Sequence, residues 1–486
     1  MSRLIVVSNR VAIPREGRQK MAGGLAVAVN AAMRQRGGIW FGWSGETSDD
    51  IPDEPRWIGK GNVSCRVTDL TPADVQEYYN GFANRVLWPL MHYRVDLAEF
   101  SRADLSGYMR VNHGFAARLA RFIEPDDVIW IHDYHLMPLA KFLRELGFGN
   151  RIGFFLHIPF PPLEVMLTLP HHREVTGALV EYDLVGLQTE NDRLNFARYM
   201  EFLGYSTDER DGNMFAVGAR RLRSGAFPVG IDTDDFMHVA RRMGRSNFIH
   251  DFRKSIFDRS LVIGVDRLDY TKGIAERMSA FEHFLAANES WRGRVTYLQI
   301  TPRSRSEVQE YADMERATCM KVGSINGIYG DATWTPIRYV NRSYDRSALA
   351  GLYRVARIGL VTPLRDGMNL VAKEYVAAQN PLDPGVLILS AFAGAADELS
   401  DGALVVNPHE AEAVAPAIRR GLEMPLGERR DRYRRMMRVI REHDINHWAD
   451  NFLASLMDEG EAAAQPSPEA APRPPVTSSA GGSNLL

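Results

Sequence analysis

At 486 residues the chain is too long for one ordinary hydrophobic core, and roughly 150 residues per domain suggests two or three domains. Hydrophobic residues at 45% and charged residues at 24% are globular proportions and exclude general disorder. The 58 basic and 61 acidic side chains leave a formal charge of −3, so nothing global steers the protein to nucleic acid or an anionic membrane, and any anion binding must be local. Only Cys65 and Cys319 are present, too few for a disulfide framework or a thiolate zinc cluster, which fits a reducing cytosol and a cytoplasmic location. No apolar run approaches the length of about 18 residues that would suggest a membrane span.

The start, MSRLIVVSNR, turns polar after five apolar residues and reads as a first buried strand over residues 4–7 rather than a signal peptide. Arg10 follows at the strand's carboxyl end, and Gly23 and Gly24 precede a helical run over residues 25–35. Ligands of open parallel sheets collect beyond the carboxyl ends of strands, which puts Arg10 and the glycine pair in ligand position. The glycine pair reads equally well as a flexible helix start. A second strand is expected at residues 39–44. Residues 77–94 are dense in Tyr, Trp and His, a pattern of core packing first and of a sugar platform second.

Residues 128–131 form a β-branched and aromatic run ending in His132, Asp133, Tyr134 and His135. The same grammar returns at 152–156, ending in His157. The His-Asp-x-His spacing, with no second carboxylate nearby, is a weak metal signal and is set aside. Strands are expected at 184–188 and 227–231, the first followed by a capping box of Thr189 and Asp192.

The second series opens with a strand at 261–265 and the loop Asp266, Arg267, Leu268, Asp269, Tyr270, Thr271, Lys272, Gly273. Arg267 as a planar fork and Lys272 as a point charge suit a diphosphate. Another strand is expected at 295–300, then the central one at 358–361, which leads through TPLRDG into a helix over 368–379. The first amides of such a helix lack partners and its dipole favours an anion, while Glu374, one turn beyond Leu370, suits two vicinal hydroxyls. A last strand is expected at 385–389. The Arg-rich stretch 428–441 reads as a solvated face. Ile445, Trp448, Phe452 and Leu456 recur at helical spacing, so a closing helix packs one face, and the Ala-, Pro-, Ser- and Gly-rich remainder reads as a disordered tail. Strands alternating with helices imply parallel sheets with right-handed crossovers, and two such halves make a cleft.

The stretches VVSNR, AGGLA, WFGWSGE, EYYN, VLWP, WIHDYHL, RIGFFLHIPFP, GLQTENDR, DRLDYTKG, INGIYG and LVTPLRDGMNLVAKEYVAAQ closely resemble the trehalose-6-phosphate synthases, retaining glycosyltransferases of family 20, in order from residue 4 to about 450. The resemblance implies an α/β chain of the GT-B type, two Rossmann-like domains with parallel sheets facing across a cleft. The expected division is 1–240 for the acceptor domain, 241–440 for the nucleotide-sugar domain, 441–459 for a helix packing back on the first, and 460–486 for the tail. It also implies transfer of glucose from UDP-glucose to glucose 6-phosphate with retention, no cofactor, no metal, no nucleic-acid or membrane partner, and a homo-oligomer, dimer or tetramer.

Carried across residue by residue, Arg10 and Arg305 would hold the acceptor phosphate, with Tyr79, Trp88 and Asp133 around the acceptor sugar. Gly23 and Gly24 would offer amides to the donor, and Tyr344 would lie near the uracil, where the family more often has Phe. Arg267 and Lys272 would neutralise the diphosphate. Asp366 and the backbone of Gly367, Met368, Asn369, Leu370, Val371, Ala372 and Lys373 would hold the donor glucose, with His157 beside it and Glu374 on the ribose. Arg267, Lys272, Asp366 and His157 make the expected catalytic set. Retention through a carboxylate nucleophile and same-face attack guided by the leaving phosphate both stay open, the resemblance favouring the second. Rival readings are a transferase using glycerol 3-phosphate, a nucleotide-sugar epimerase on the same fold, and a non-catalytic nucleotide-sugar sensor.

Overall fold

The computed structural model describes residues 3–11, 29, 33, 36–59, 62–207, 212–303 and 309–458. Gly23, Gly24, Arg305 and the expected tail lie outside the described residues. Of the run 25–35 only Val29 and Met33 are described, both helical and buried.

The first nine strands are β1 (Leu4–Arg10), β2 (Gly38–Thr47), β3 (Arg56–Ile58), β4 (Val63–Leu70), β5 (Val128–His132), β6 (Arg151–Phe155), β7 (Leu184–Leu187), β8 (Met214–Val217) and β9 (Arg220–Ala226). They form one sheet in the order β3-β4-β2-β1-β5-β6-β7-β9-β8, parallel except for the edge pairs β3 with β4 and β8 with β9. Six more, β10 (Ser260–Val265), β11 (Val295–Ile300), β12 (Ile337–Val340), β13 (Ile358–Val361), β14 (Val386–Ser390) and β15 (Leu404–Val406), form a second sheet in the order β12-β11-β10-β13-β14-β15. Every neighbouring pair in it is parallel. Helices cover both, so the central strands are buried on both faces and read as continuous apolar runs. The fold is the α/β pair of parallel sheets expected from the alternation.

The expected strand at 227–231 is not one. The β9 strand ends at Ala226; Phe227 N makes a last bond to the Leu187 carbonyl of β7 (2.8 Å), and Val229 N donates to the side-chain Oε1 of Gln188 (3.1 Å). This apolar run is buried because it carries the chain between the two units. Val229 packs with the core around Trp130, and Ile231 with the core under the second sheet. The return crossing lies alongside, where Ile445 N donates to the Ile231 carbonyl (3.1 Å) and Thr233 Oγ1 to the Ile440 carbonyl (3.0 Å).

The aromatic segment becomes one continuous helical run, Pro72–Asp74, a wide-turned Val75–Leu87 and Trp88–Met91. Tyr78, Phe82 and Trp88 go to the core, while Tyr79 stays half-buried. The helix Ile445–Met457 lays Ile445, Trp448, Phe452 and Leu456 onto the first sheet, as their spacing suggested. Gly153 of β6 and Gly186 of β7 make room for it, since an added Cβ would meet the Phe452 ring at 2.8 and 2.6 Å.

Candidate active site

The residues singled out at strand ends meet where the carboxyl ends of the two sheets face each other. On the first side, β1 delivers Arg10, whose guanidinium lies 5.6 Å from the centroid of the Trp43 ring at the end of β2. Gly45, at φ 85°, leaves the space for it, because an added Cβ there would overlap the guanidinium. Tyr79 packs on the other side of the same wall, 5.8 Å from Trp43 and stacked at 5.9 Å on His135. Asp133 follows β5 at φ 77°, and its Oδ1 accepts from the His157 amide (3.3 Å).

Register explains the next contact. His132 of β5 pairs with Phe155 of β6, so His157, two residues on, falls beside His132 on the same face. His132 Nδ1 and His157 Nε2 are 3.1 Å apart. Burial holds both rings neutral, pushing His157 down to about 3 and His132 well below the usual imidazole range.

On the second side, β10 ends in the loop that carries Arg267 and Lys272. Asp269, fully buried, accepts from the Thr271 amide (3.0 Å) and hydroxyl (2.8 Å) and from the Tyr311 hydroxyl (3.2 Å), which folds the loop into a tight turn. Gly273, at φ 63°, sits against the Thr362 carbonyl, where a Cβ would come within 2.6 Å, so the turn docks on the loop after β13. Leu364 N donates to the Thr271 carbonyl (2.8 Å), and Lys272 then forms an ion pair with Asp366.

Asp366 is held further by Asn369 Nδ2 (3.0 Å), with Asn369 itself at φ 70°. That conformation is uncommon outside Gly, and it turns the chain sharply into the helix Leu370–Ala378. Glu374, half-buried on this helix, has no ion-pair partner among the described residues. Burial pushes its carboxyl up to about 7, with the Arg346 charge opposing the shift. Arg346 opens the helix Arg346–Val355 just after Tyr344, so base-side and ribose-side candidates are neighbours. Tyr344 lies half-buried, 5.4 Å from the Arg342 guanidinium.

Contacts between described residues join the two sides. Trp88 Nε1 reaches Asp269 Oδ1 (3.4 Å), and the Arg267 guanidinium lies 5.6 Å from the Trp88 ring centroid. Arg365 sits 3.8 Å over Tyr93. Gly367 packs on the His157 backbone so closely that any Cβ would overlap the His157 carbonyl oxygen. The lack of a side chain at Gly367 therefore serves the approach of one backbone to another.

The side chains of this loop and helix have packing and pairing roles of their own. The Lys373 ammonium is buried, paired with Glu398 (2.5 Å) and donating to the Val229 carbonyl (2.8 Å), so its side chain is not at the donor. It anchors the helix to the inter-unit crossing instead. Met368 and Ala372 are buried, and Leu370 and Val371 pack on the cores, leaving only main-chain groups to meet a ligand. Of these, the Ala372 amide donates to the Asn369 carbonyl (3.2 Å).

Arg277 was missed by sequence reading. Fully buried, it binds Asp266 (2.7 Å), Thr362 Oγ1 (3.1 Å), Gln299 (3.2 Å) and the Lys272 carbonyl (3.1 Å), tying both phosphate-side loops together. The available signal was an Arg on the apolar stripe of Ile274, Phe281 and Phe284. Among the described residues no group of three or more His, Cys, Asp or Glu is placed to hold a metal ion, and no helix is long and apolar enough to cross a membrane.

Two parallel-sheet units, with a cationic turn and a helix start on one side of a cleft and an aromatic wall on the other, are the architecture of a glycosyltransferase of the GT-B type. The chain belongs to glycosyltransferase family 20, whose family model matches residues 2–458. It is 54% identical over 458 residues to a trehalose-6-phosphate synthase of Sinorhizobium fredii, covering 94% of this chain and 98% of that one. It resembles the crystal structure of an α,α-trehalose-phosphate synthase (UDP-forming) from Burkholderia xenovorans in complex with glucose-6-phosphate, with a TM-score of 0.90, 45% identity, and coverage of 94% of this chain and 100% of that one. It also resembles the E. coli enzyme bound with UDP-2-fluoro glucose, with a TM-score of 0.87, 44% identity, and coverage of 94% and 99%.

Proposed function

We propose that the protein transfers glucose from UDP-glucose to glucose 6-phosphate with retention, releasing UDP and trehalose 6-phosphate. The observation that carries this reading is the Lys272–Asp366 pair, set beside Arg267 and opposite Trp88, Asp133 and His157. Arg267 and Lys272 neutralise the diphosphate, and because the leaving UDP gains negative charge along the reaction coordinate, they stabilise the transition state more than the ground state. Two fixed cations supply that charge without a metal. Asp366 and the main chain from Gly367 to Lys373 hold the donor glucose, His157 lies beside it, Glu374 takes the ribose hydroxyls and Tyr344 faces the base. Arg10, with Arg305, takes the acceptor phosphate, and Tyr79, Trp88 and Asp133 frame its sugar, while Gly23 and Gly24 offer amides to the donor.

Same-face attack is the route the site supports. Asp366, the carboxylate of the loop before the helix, is engaged by Lys272 and Asn369 and so is a poor nucleophile. The reading includes a cytoplasmic homo-oligomer of 1–240 and 241–440 domains closed by the 441–459 helix. Light scattering of the purified protein tests its assembly. UDP release measured with UDP-glucose and, in turn, glucose 6-phosphate, glycerol 3-phosphate or no acceptor tests the activity. Release that requires glucose 6-phosphate is expected, and release that prefers glycerol 3-phosphate would overturn the acceptor assignment.

A further inference from the structure

The face of the first sheet that carries Trp130, His132 and Phe155 is closed by the helix Ile445–Met457 into a dry box. Trp130 stacks on Phe452 (4.7 Å between centroids, 14°) and lies 4.9 Å from Trp448. His132, with no exposed surface, lies 4.5 Å from Trp130 and 6.2 Å from Trp448. Three buried polar atoms in this box have no hydrogen-bond partner: Trp130 Nε1, Trp448 Nε1 and His132 Nε2. The two indole nitrogens are donors only.

That chemistry decides the tautomers. Burial keeps both histidines neutral, so each carries one N–H. If His157 Nε2 held the proton and donated to His132 Nδ1, His132 would carry its own proton on Nε2, adding a third orphaned donor to a box that already has two. Orphaned buried N–H groups are rarer than under-used acceptors. With the proton on His132 Nδ1, the box instead receives a lone pair and no third orphaned donor. His132 then donates to His157 Nε2, which leaves the remaining His157 nitrogen, Nδ1, as an N–H on a half-buried side chain at the cleft.

We propose that His132 is a positioning residue for the transfer, locking His157 as its Nδ1–H tautomer so that it presents a hydrogen-bond donor to a hydroxyl oxygen of the bound donor sugar. This rests on the placement of His157 beside that sugar. A fixed donor there orients the sugar without itself exchanging a proton with the reacting atoms, and Trp448 and Phe452, from the far end of the chain, maintain the dryness on which the tautomer depends. The role belongs to a residue that does not itself touch substrate.

The test is long-range ¹H–¹⁵N correlation on histidine-labelled full-length protein, with His157→Gln used to assign the His157 ring, followed by kinetics of His132 variants. The wild type is expected to show the Nδ1–H pattern for His157. His132→Phe is expected to lose it and to lower kcat roughly 10–100-fold, the cost of a misoriented reactant, with KM for glucose 6-phosphate changed less than threefold. His132→Asn, whose amide N–H lies near the lost Nδ1–H, is expected to restore most of kcat. An Nε2–H pattern for His157 in the wild type overturns the proposal, and so does a folded His132→Asn no better than His132→Phe. The tautomer is read without turnover, so a wild type that fails to transfer glucose would overturn the functional reading separately.

Discussion

Trp88 Nε1 lies 3.4 Å from Asp269 Oδ1, so the wall assigned to the acceptor is hydrogen-bonded to the turn that carries Lys272. Asp269 has no exposed surface and keeps its Thr271 and Tyr311 donors whether or not Trp88 is in place. Trp88→Phe keeps an aromatic ring and removes this donor together with part of the indole's packing surface. Leaving a buried acceptor short of a donor costs about 1–3 kcal/mol, so kcat/KM is expected to fall roughly tenfold. Steady-state kinetics with both substrates varied checks this, and an unchanged kcat/KM would show that the two sides align without it.

Arg267 and Lys272 are expected to separate in stability and agree in catalysis. Arg267→Ala and Lys272→Ala should each lower kcat by roughly 10² or more, the scale of losing a positioned transition-state donor. Arg267 is exposed, so its removal should leave the melting temperature unchanged. Lys272→Ala strands Asp366, whose side chain is only 14% exposed, and should lower it. Rapid-quench kinetics and calorimetry on the two variants measure both effects, and unchanged turnover in both would remove diphosphate neutralisation from the mechanism.

The raised Glu374 carboxyl gives a pH dependence with a definite sign. Its folded value near 7 lies above the usual carboxylate value, so its contribution to stability is complete below the unfolded value and is lost as pH rises through 7. Donor binding runs the other way, because two ribose hydroxyls need an ionised acceptor. KM for the nucleotide sugar is therefore expected to fall between pH 6 and pH 8. Glu374→Gln should show a higher KM with a flat profile, and a wild-type KM that rises over this range would contradict the ribose assignment.

Gly186 faces Phe452 so closely that a methyl group would stand 2.6 Å from the ring. Gly186→Ala is expected to overpack this contact and cost about 1–3 kcal/mol. Trp448→Ala, which empties the same box, should cost about 3–5 kcal/mol. Denaturant unfolding measures both, and a neutral Gly186→Ala would mean that the closing helix shifts freely on the sheet.

Much of the fold was legible because parallel strands buried on two faces are plain apolar runs and their carboxyl ends carry the unusual residues. β10, β11 and β13 lie where their sequences suggested, with Arg267, Lys272 and Asp366 at or near their ends. Trp448 and Phe452 announced their helix by spacing alone. The failures share a cause: local pattern does not say which neighbour satisfies a group. Residues 227–231 are as apolar as a strand, yet are buried by two cores rather than by a ladder. Lys373 was expected through its main chain, and what the local pattern did not show is that its ammonium pairs with Glu398, a carboxylate distant in sequence. Arg277 looked like a misplaced charge on an apolar face because its four partners come from other segments of the chain.

The most direct measurement is the structure of the product. UDP-glucose and glucose 6-phosphate are incubated with the purified protein, and the coupled anomeric protons of the product are read by NMR. Two α-anomeric signals from a 1,1-linked disaccharide carrying one phosphate are the expected result. A β-anomeric signal, a different linkage, or an epimerised nucleotide sugar with no disaccharide would contradict retaining transfer to glucose 6-phosphate.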